Sequence, residues 1–306
     1  LEVRKLNLYK DPAISGTPDT MTTQYNQLIE DWVGDKVIAQ VEQESKYAER
    51  RQAVQAFNAK SKTRKRGLAL VPLKFGISFT ATHLNQGGAL LVVYTDGSVS
   101  CNHGGTEMGQ GLNTKMAQVC ADGLGISVDH VRITATDSQK VPNASATSAS
   151  SGADINGAAI MNATAQMRER LKPVAARMLG CAEADVTFAN NELHGGGKSV
   201  KWADVTKQAW LDRVGLSVTG FYMTPEIKYD FATLNGRAFY YYCYGAAVSE
   251  VEIDTRTGEW WLKGVDIVHD VGRSINPALD KGQIEGAYVQ GMGWLTMEEC
   301  IWDKKG

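Results

Sequence analysis

The sequence lacks the features by which proteins commonly bind structural metals, membranes or nucleic acids. Its five cysteines include no Cys-x-x-Cys pair and no nearby histidine at metal-binding spacing, which argues against a zinc or iron–sulfur site built by this chain. A net charge of -2 gives no global field that favours nucleic acid or an anionic membrane. No stretch has the pattern of a secretory signal or the length to span a bilayer. We therefore expect a cytoplasmic protein with reduced thiols.

The chain is long and apolar enough to bury a substantial core. With 306 residues, 43% of them hydrophobic, it should fold as one large lobe or two medium ones. No methionine precedes the already patterned start Leu1–Arg4, so we expect a fragment or a processed subunit.

The periodicity of apolar residues predicts an α+β fold, with helices packed on one face of mixed sheets. Residues 25–60 have helical spacing and predict an arm, followed by the basic run Lys60–Arg66, which we interpret as a solvated linker rather than a contact for RNA or phosphate. The chain is accordingly divided into an arm with its linker, 1–66, and a two-lobed domain, 67–306. The elements predicted for this domain are strands at 67–80, 131–136, 239–253 and 260–268, a hairpin over 88–101 turning at Asp96–Gly97, and helices at 114–124 and 153–179.

One acid, Glu285, lies among glycines and apolar residues at helical spacing, in the segment Asp280–Gly293. In apolar surroundings a carboxylate loses hydration and its ionised form is disfavoured, so the group is poised to take a proton. The alternative is an acid that is satisfied by backbone donors or by a basic partner in the fold. From the residues alone, both interpretations stay open.

Two loops rich in small residues are suited to an anionic ligand. His103–Gly111 is dense in glycine and precedes the helix that starts near Thr114, whose first amides would be exposed. Its spacing is neither that of a Walker loop nor that of the dinucleotide fingerprint. Val141–Asp154 is rich in hydroxyls and leads into the longest helix, although a plain N-cap region is the alternative. Together the loops predict one large polyanionic ligand held between them.

In their order along the chain, these motifs resemble the second molybdenum-cofactor-binding region of the xanthine dehydrogenase and aldehyde oxidase family. The form of Thr80–Gln86 is most similar to bacterial xanthine dehydrogenase large subunits. Besides the Glu285 segment and the two loops, the resemblance rests on Arg4–Tyr9, Lys74–Thr80, Leu84–Gln86, Tyr94–Ser98, Gly220–Tyr222, Tyr244–Ala247, Asp270–Gly272 and Asn276–Ala278. The resemblance makes 67–306 a second molybdenum-cofactor-binding domain.

The resemblance implies a molybdenum hydroxylase that oxidises purines, hypoxanthine or xanthine, to urate with water-derived oxygen. In the family, molybdenum on a pterin dithiolene (molybdopterin) carries oxo, sulfido and hydroxyl ligands, and a glutamate removes the hydroxyl proton. The oxygen attacks a substrate carbon while hydride passes to the sulfido group. The position that matches this base is Glu285. A pKa raised by an apolar, water-poor pocket would suit that role.

The resemblance also implies substrate and cofactor contacts. Phe79 and Thr80 match substrate-pocket residues, where the ring would stack on a purine and the hydroxyl would offer a hydrogen bond. Without the resemblance, Phe79 is a strand residue that faces a core. Ala149 matches a backbone contact close to the molybdenum. The implied cofactor contacts are Gly109, Gln110, Gly111, Ala149, Ser150 and Ser151.

The sequence departs from the family pattern at two positions and lacks other parts. Lys281 stands where relatives usually have an apolar residue, and Asn113 varies within the family. The chain has no counterpart of the first cofactor-binding region or of the tail beyond Trp302–Asp303, so it should form about half of an active-site cleft. The 2Fe-2S clusters and FAD, with NAD as the final acceptor, are expected on other domains or subunits.

Two alternatives stay open. An aldehyde oxidase-like hydroxylase would share the same machinery, and the residues that separate the two activities lie mostly outside this chain. A folded binding or assembly module without activity of its own would hold little or no molybdenum when isolated, which is what we expect of the isolated fragment.

Overall fold

The computed structural model describes residues 1–10, 21–141 and 143–306. Its helices are α1 (Glu2–Leu6), α2 (Gly34–Glu44), α3 (Tyr47–Lys60), α4 (Leu112–Leu124), α5 (Gly152–Leu179), α6 (Trp202–Leu211) and α7 (Pro277–Thr296). Its strands are β1 (Arg64–Ile77), β2 (Gln86–Val93), β3 (Val99–His103), β4 (Val131–Ile133), β5 (Thr187–Ala189), β6 (Glu192–Gly195), β7 (Lys198–Lys201), β8 (Ser217–Met223), β9 (Lys228–Asp230), β10 (Asn235–Arg237), β11 (Tyr241–Asp254) and β12 (Trp260–His269). Among these residues, no helix combines the length and the hydropathy needed to cross a bilayer.

Contacts divide the described chain into two units. The first unit contains residues 1–82 and 225–272, and the second contains residues 83–224 and 273–306.

The first unit is built on an antiparallel sheet in the order β1–β11–β12. β1 pairs with β11 over its whole length, from Arg64 opposite Asp254 to Ile77 opposite Tyr241. Side chains of β1 alternate between the two faces, and its buried face packs with α2 and α3 in one core. The best-buried apolar residues of this core include Val41, Leu70, Tyr244 and Val248.

Two predictions for the N-terminal part are wrong. Residues 25–33 are not helical, and Leu28 instead forms an isolated bridge with Thr22. The run 60–66 is not a linker, because β1 begins at Arg64. Glu252 on the neighbouring strand lies 2.8 Å from Arg66 Nε and 3.3 Å from Arg64 Nη1, so the two arginines of the basic run pair with one carboxylate across the strands. Residues 1–10 and 21–66 thus share a unit with β11 and β12 and do not form a separate arm.

The second unit is built on a four-stranded sheet in the order β4–β3–β2–β8. The β2–β3 and β2–β8 pairs are antiparallel, and β3 runs parallel to β4. Helices α4 and α5 pack on this sheet around a core that includes Leu91, Met116 and Ile160. β8 comes so close to α5 that a Cβ added at Gly220 would lie 2.0 Å from the carbonyl oxygen of Ala159. The small antiparallel sheet β5–β6–β7 belongs to the same unit.

The predicted α+β class is confirmed, as are most elements of the region 67–306. The helices predicted at 114–124 and 153–179 are α4 and α5, and Gly180 ends α5 with a φ of 72°. The predicted hairpin is β2–β3, with Gly97 at a φ of 87° in its turn. The two long C-terminal strands are β11 and β12, joined after Asp254.

Candidate functional site

The glycine-rich loop 103–111 connects β3 to α4 in the second unit. His103 at its start is buried, with 1% of its surface exposed. Its Nδ1 accepts a hydrogen bond from the amide of Gly105 at 3.1 Å, so Nε2 carries the proton and faces Asn113 Oδ1 at 3.1 Å. Burial lowers the pKa of His103, against the opposing effects of the Asn113 bond and the charge of Glu107. The imidazole is therefore a neutral brace that shapes the loop.

Glu107 occupies the amides that the sequence predicts to be free for a ligand. Its Oε1 accepts from the amides of Gly109 at 2.9 Å and Gly111 at 3.0 Å, and its Oε2 accepts from the amide of Asn113 at 2.9 Å. Partial burial opposes ionisation, but these amides, with that of Met108, outweigh it and lower the pKa of Glu107. Two of the amides that the sequence predicts to be exposed at the start of α4, those of Gly111 and Asn113, are therefore bound by the chain's own carboxylate.

Gln110 has both ends of its side-chain amide in use inside the loop. Its Oε1 accepts from the amide of Met108 at 2.6 Å, and its Nε2 donates to the carbonyl of Thr106 at 2.8 Å. A primary amide has two donor hydrogens and two acceptor lone pairs. One donor and one acceptor direction of Gln110 therefore remain for a further partner.

The hydroxyl-rich loop, of which the structure describes residue 141 and residues 143–151, leads into α5; position 142 of the predicted loop lies outside the described residues. Ala149 and Ser150 have φ angles of 56° and 54°, the left-handed region that non-glycine residues seldom adopt. Ser151 is buried, and its hydroxyl donates to the carbonyl of Ser148 at 3.2 Å. Backbone strain of this kind clusters at ligand-binding sites.

The first amides of α5 are available to a ligand. Among the described residues, the amides of Gly152 and Ala153 donate no hydrogen bond. α5 is 28 residues long, and the aligned peptide dipoles of such a helix favour negative charge at its start. Of the two helix starts at which the sequence predicts an anion, that of α4 already carries the Glu107 carboxylate, whereas the start of α5 offers the amides of Gly152 and Ala153.

The structure brings the two loops together. The amide of Thr106 donates to Thr147 Oγ1 at 2.9 Å. Side chains are excluded where the loops pass each other, because a Cβ at Gly104 would lie 2.7 Å from Ala144 Cβ. A narrow cleft remains between the loops and the start of α5, lined in part by Gln86, Ser145, Thr147, Ser151 and Asn156.

Helix α7 contributes Gln283, which the sequence reasoning missed. The Asn276 side chain caps the start of α7 by accepting from the amide of Leu279 at 3.2 Å. Leu279 packs against Gly111, where a Cβ would lie 2.5 Å from its Cδ1. One turn further on, Gln283 Nε2 reaches the carbonyl of Gly109 at 3.5 Å. The sequence held one signal for Gln283: it lies four residues after Leu279, so both side chains lie on the same face of a helix.

Glu285 lies on a different face of α7 from these contacts. Residues two apart on a helix are separated by about 200°, so the Glu285 side chain points away from the face that carries Gln283. The carboxylate is exposed, with 64% of the side-chain surface accessible, and Oε1 lies 3.6 Å from Lys281 Nζ. The predicted apolar, water-poor surroundings are therefore absent among the described residues. The alternative from the sequence, a basic partner, is what the structure shows.

Phe79 and Thr80 lie in the first unit, just after β1. Both side chains are half-buried. Ser78, which precedes them, has a φ of 126° and turns the chain away from the strand. They belong to a different unit from the two loops and Glu285.

The donor set of the two loops fits a ligand that brings its own metal ligands. Across residues 1–10, 21–141 and 143–306, no group of three or more His, Cys, Asp or Glu side chains is placed to hold a metal ion. The loops instead offer backbone amides, hydroxyls and a side-chain amide, which recognise polar and anionic groups by hydrogen bonding. These residues fit a pterin that carries a phosphate and coordinates a metal through its own sulfur atoms.

The fold is similar to that of a known oxidoreductase. The crystal structure of quinoline 2-oxidoreductase from Pseudomonas putida 86 superposes with a TM-score of 0.79 at 24% sequence identity, over 94% of this chain and 37% of that chain. At this identity the likeness concerns the fold alone.

Curated sequences give a closer match. Xanthine dehydrogenase of Emericella nidulans is 45% identical over 303 residues, which cover 99% of this chain and 20% of that protein. Nicotinate hydroxylase of the same fungus is 44% identical over 312 residues, covering all of this chain and 21% of that protein. The chain thus spans about one fifth of the length of the curated relatives it matches. The family model described as "Molybdopterin cofactor-binding domain" matches residues 40–306, and the chain belongs to this family.

Proposed function

We propose that this chain forms the second molybdopterin-binding portion of a xanthine dehydrogenase-type hydroxylase, which oxidises hypoxanthine and xanthine to urate. The observation that supports the proposal best is the contact between loops 103–111 and 143–151 beside the free N-terminal amides of α5. Identity of 45% with a xanthine dehydrogenase over nearly the whole chain supports the same reaction class. Molybdenum on the pterin, when bound, supplies the centre that takes two electrons from the substrate.

The chain's own residues would bind and orient the cofactor. The amides of Gly152 and Ala153 would hold the phosphate, because they are unpaired donors at the positive end of a long helix. The backbone of Ala149 and the hydroxyl of Ser150, both carried by left-handed residues, would contact the pterin near the metal. Gln110 would use its remaining donor and acceptor directions, with Gly109 and Gly111 holding the loop turn around it.

Two further residues would act on the substrate side. Phe79 would offer its ring to a planar heterocycle, since offset stacking of aromatic faces is favourable. Thr80 would offer a hydroxyl hydrogen bond beside it. Both assignments rest on the resemblance of Lys74–Thr80 to the family motif.

The role of Glu285 as the catalytic base stays a hypothesis that rests on the resemblance alone. Exposure of its carboxylate and its ion pair with Lys281 argue against the physical premise of that role. A base would have to be desolvated by parts of the protein outside this chain and would have to turn toward the cofactor.

The length of the curated relatives is the basis for proposing the parts of the enzyme that carry electrons away from the molybdenum. Since the curated relatives are about five times longer than the matched segment, a first cofactor-binding region and domains carrying 2Fe-2S clusters and FAD would complete the enzyme, with NAD as acceptor. A bacterial type of large subunit is proposed on the form of Thr80–Gln86, and a cytoplasmic location on the scattered cysteines, which we expect to be reduced.

A second candidate is hydroxylation of another heterocycle or of an aldehyde. Nicotinate hydroxylase matches this chain as well as xanthine dehydrogenase does, at 44% against 45% identity. Substrate choice therefore depends on residues that these identities do not distinguish. A third candidate function is that of an assembly module that binds no cofactor.

The test uses the protein expressed from its complete gene in a molybdenum-replete host. We expect about one molybdenum per polypeptide by elemental analysis, and oxidation of xanthine in preference to nicotinate and an aromatic aldehyde. Gln110→Ala should lower the molybdenum content, whereas Gln40→Ala, which changes an exposed glutamine bonded only to Glu44, should not. A parent protein without molybdenum would overturn the proposal, and preference for another substrate would replace its reaction.

A further inference from the structure

Loop 103–111 is folded around an internal carboxylate. Three backbone amides, those of Gly109, Gly111 and Asn113, converge on Glu107 within 3.0 Å. The convergence needs left-handed backbone at Gly109, with φ of 99°, and at Gly111, with φ of 76°. Glycine adopts these angles at no steric cost. The carboxylate and the two glycines therefore specify one loop conformation together.

This conformation fixes the groups that border the proposed cofactor site. Closing the loop on Glu107 sets the carbonyl of Gly109 toward Gln283 of α7, at 3.5 Å. It also brings the amide of Met108 within 2.6 Å of Gln110 Oε1, so that Gln110 cannot swing freely. Without the carboxylate, the three amides would have to donate to water, and this turn would lose the hydrogen bonds that stabilise it.

The carboxylate also places a negative charge at the start of α4. Glu107 accepts from the amide of Asn113 in the first turn, so a second negative group there would meet like charge. The turn 106–111 is therefore suited to neutral contacts with the cofactor.

We propose that Glu107 is a positioning residue, whose carboxylate locks loop 103–111 so that Gly109 and Gln110 are presented to the cofactor. The inference rests on the proposed function, because it takes molybdopterin as the ligand of the site. Glu107 itself makes no contact with the reacting atoms; it acts through the amides it binds.

The test compares Glu107→Gln, Glu107→Asp and Glu107→Ala in the protein expressed from its complete gene, with Glu49→Gln as a matched control on the exposed surface of α3. Glutamine keeps one oxygen for Gly109 and Gly111 but turns a donor toward the Asn113 amide, and aspartate is one methylene too short. We expect the rate of molybdenum loss on dialysis to rise about tenfold or more in Glu107→Ala, and less in the other two variants. A tenfold rise corresponds to a barrier to cofactor release that is lower by about 1.4 kcal/mol.

A readout that does not need bound cofactor is amide hydrogen exchange of the peptide spanning 104–116 in the metal-free protein. Exchange there should speed up in all three variants, while the thermal midpoint stays within a few degrees of the parent and Glu49→Gln behaves as the parent. Unchanged exchange, or unchanged molybdenum retention in Glu107→Ala, would overturn the positioning role. A parent protein that never holds molybdenum would instead overturn the proposed function. In that case the hydrogen-exchange result alone would decide whether Glu107 fixes the conformation of loop 103–111.

Discussion

Lys115 Nζ lies 2.6 Å from Asp280 Oδ1, and this ion pair joins α4 to α7 next to the candidate site. Only 16% and 18% of the two side-chain surfaces are exposed. Asp280 lies on the same turn of α7 as Leu279, which packs against Gly111. The pair therefore holds the start of α7 against the loop that carries the proposed cofactor contacts.

Asp280→Asn should loosen α7. The variant keeps the shape of the side chain but leaves Lys115 without its counter-charge in a half-buried place, and we expect the free energy of opening α7 to fall by about 1–3 kcal/mol. Lys281→Met is the control, because its pair with Glu285 is exposed and should contribute about 0.5 kcal/mol or less. Hydrogen exchange of α7 peptides measures the effect of each variant on the opening of α7. Equal effects would refute the prediction that the Lys115–Asp280 pair contributes more than the Lys281–Glu285 pair.

The contribution of Asp280 should depend on pH in a defined direction. Burial opposes ionisation, but the bonds from Lys115 and Ser274 outweigh it and hold the pKa of Asp280 below its ordinary value of 3.8. Since the folded pKa is lowered, the stabilisation is fully present above about pH 3.8 and is lost as pH falls through the lowered pKa. Thermal midpoints of the parent and Asp280→Asn should differ at pH 6, and the difference should shrink as the pH falls from about 3.8 through the lowered pKa; a constant difference would contradict the assignment.

Gly220→Ala should be strongly destabilising. Its Cβ would lie 2.0 Å from the Ala159 carbonyl oxygen and 2.8 Å from the Ala163 amide, so β8 or α5 would have to move. We expect a loss of at least about 2 kcal/mol. Gly282→Ala is the control, since a Cβ there meets nothing within 4 Å and lies in a helix, where alanine should gain about 0.5–1 kcal/mol. Similar thermal midpoints for the two variants would show that β8 does not pack as described.

Ala149 should tolerate glycine better than valine. Its left-handed backbone costs an L-residue about 1–2 kcal/mol, which glycine avoids, and a β-branched side chain is least compatible with it. We expect Ala149→Gly to retain molybdenum and Ala149→Val to lose most of it. Ala232→Val serves as control, because Ala232 is exposed in a turn outside the two loops and has an ordinary φ. Molybdenum content by elemental analysis decides, and full occupancy in Ala149→Val would exclude a need for this conformation.

Glu285→Gln tests the base hypothesis. Removing a general base typically costs about 10²–10⁴-fold in rate. Because the carboxylate is exposed and paired with Lys281, we expect xanthine turnover per bound molybdenum to stay within about tenfold of the parent, or roughly 1.4 kcal/mol. A loss beyond about a hundredfold with full molybdenum content would restore Glu285 as the base.

Much of the fold could be predicted from the sequence because local signals were strong. The long helix α5 ends at Gly180, and the β2–β3 hairpin turns at Gly97, both positions where glycine takes a left-handed conformation. The start of β1 could not be predicted, because its arginines, Arg64 and Arg66, are stabilised by Glu252, nearly two hundred positions further along the chain. Periodicity carries no information on a partner so distant in sequence.

For the candidate site, the sequence by itself determined which two loops are rich in glycine and hydroxyls, and that both precede helices. Only the tertiary structure decided which groups meet at these loops. It brings the amide of Thr106 to Thr147 Oγ1 in the other loop, and Gln283 of α7 to the carbonyl of Gly109. These partners lie far apart in the sequence, so local periodicity and glycine content carry no information about their contacts.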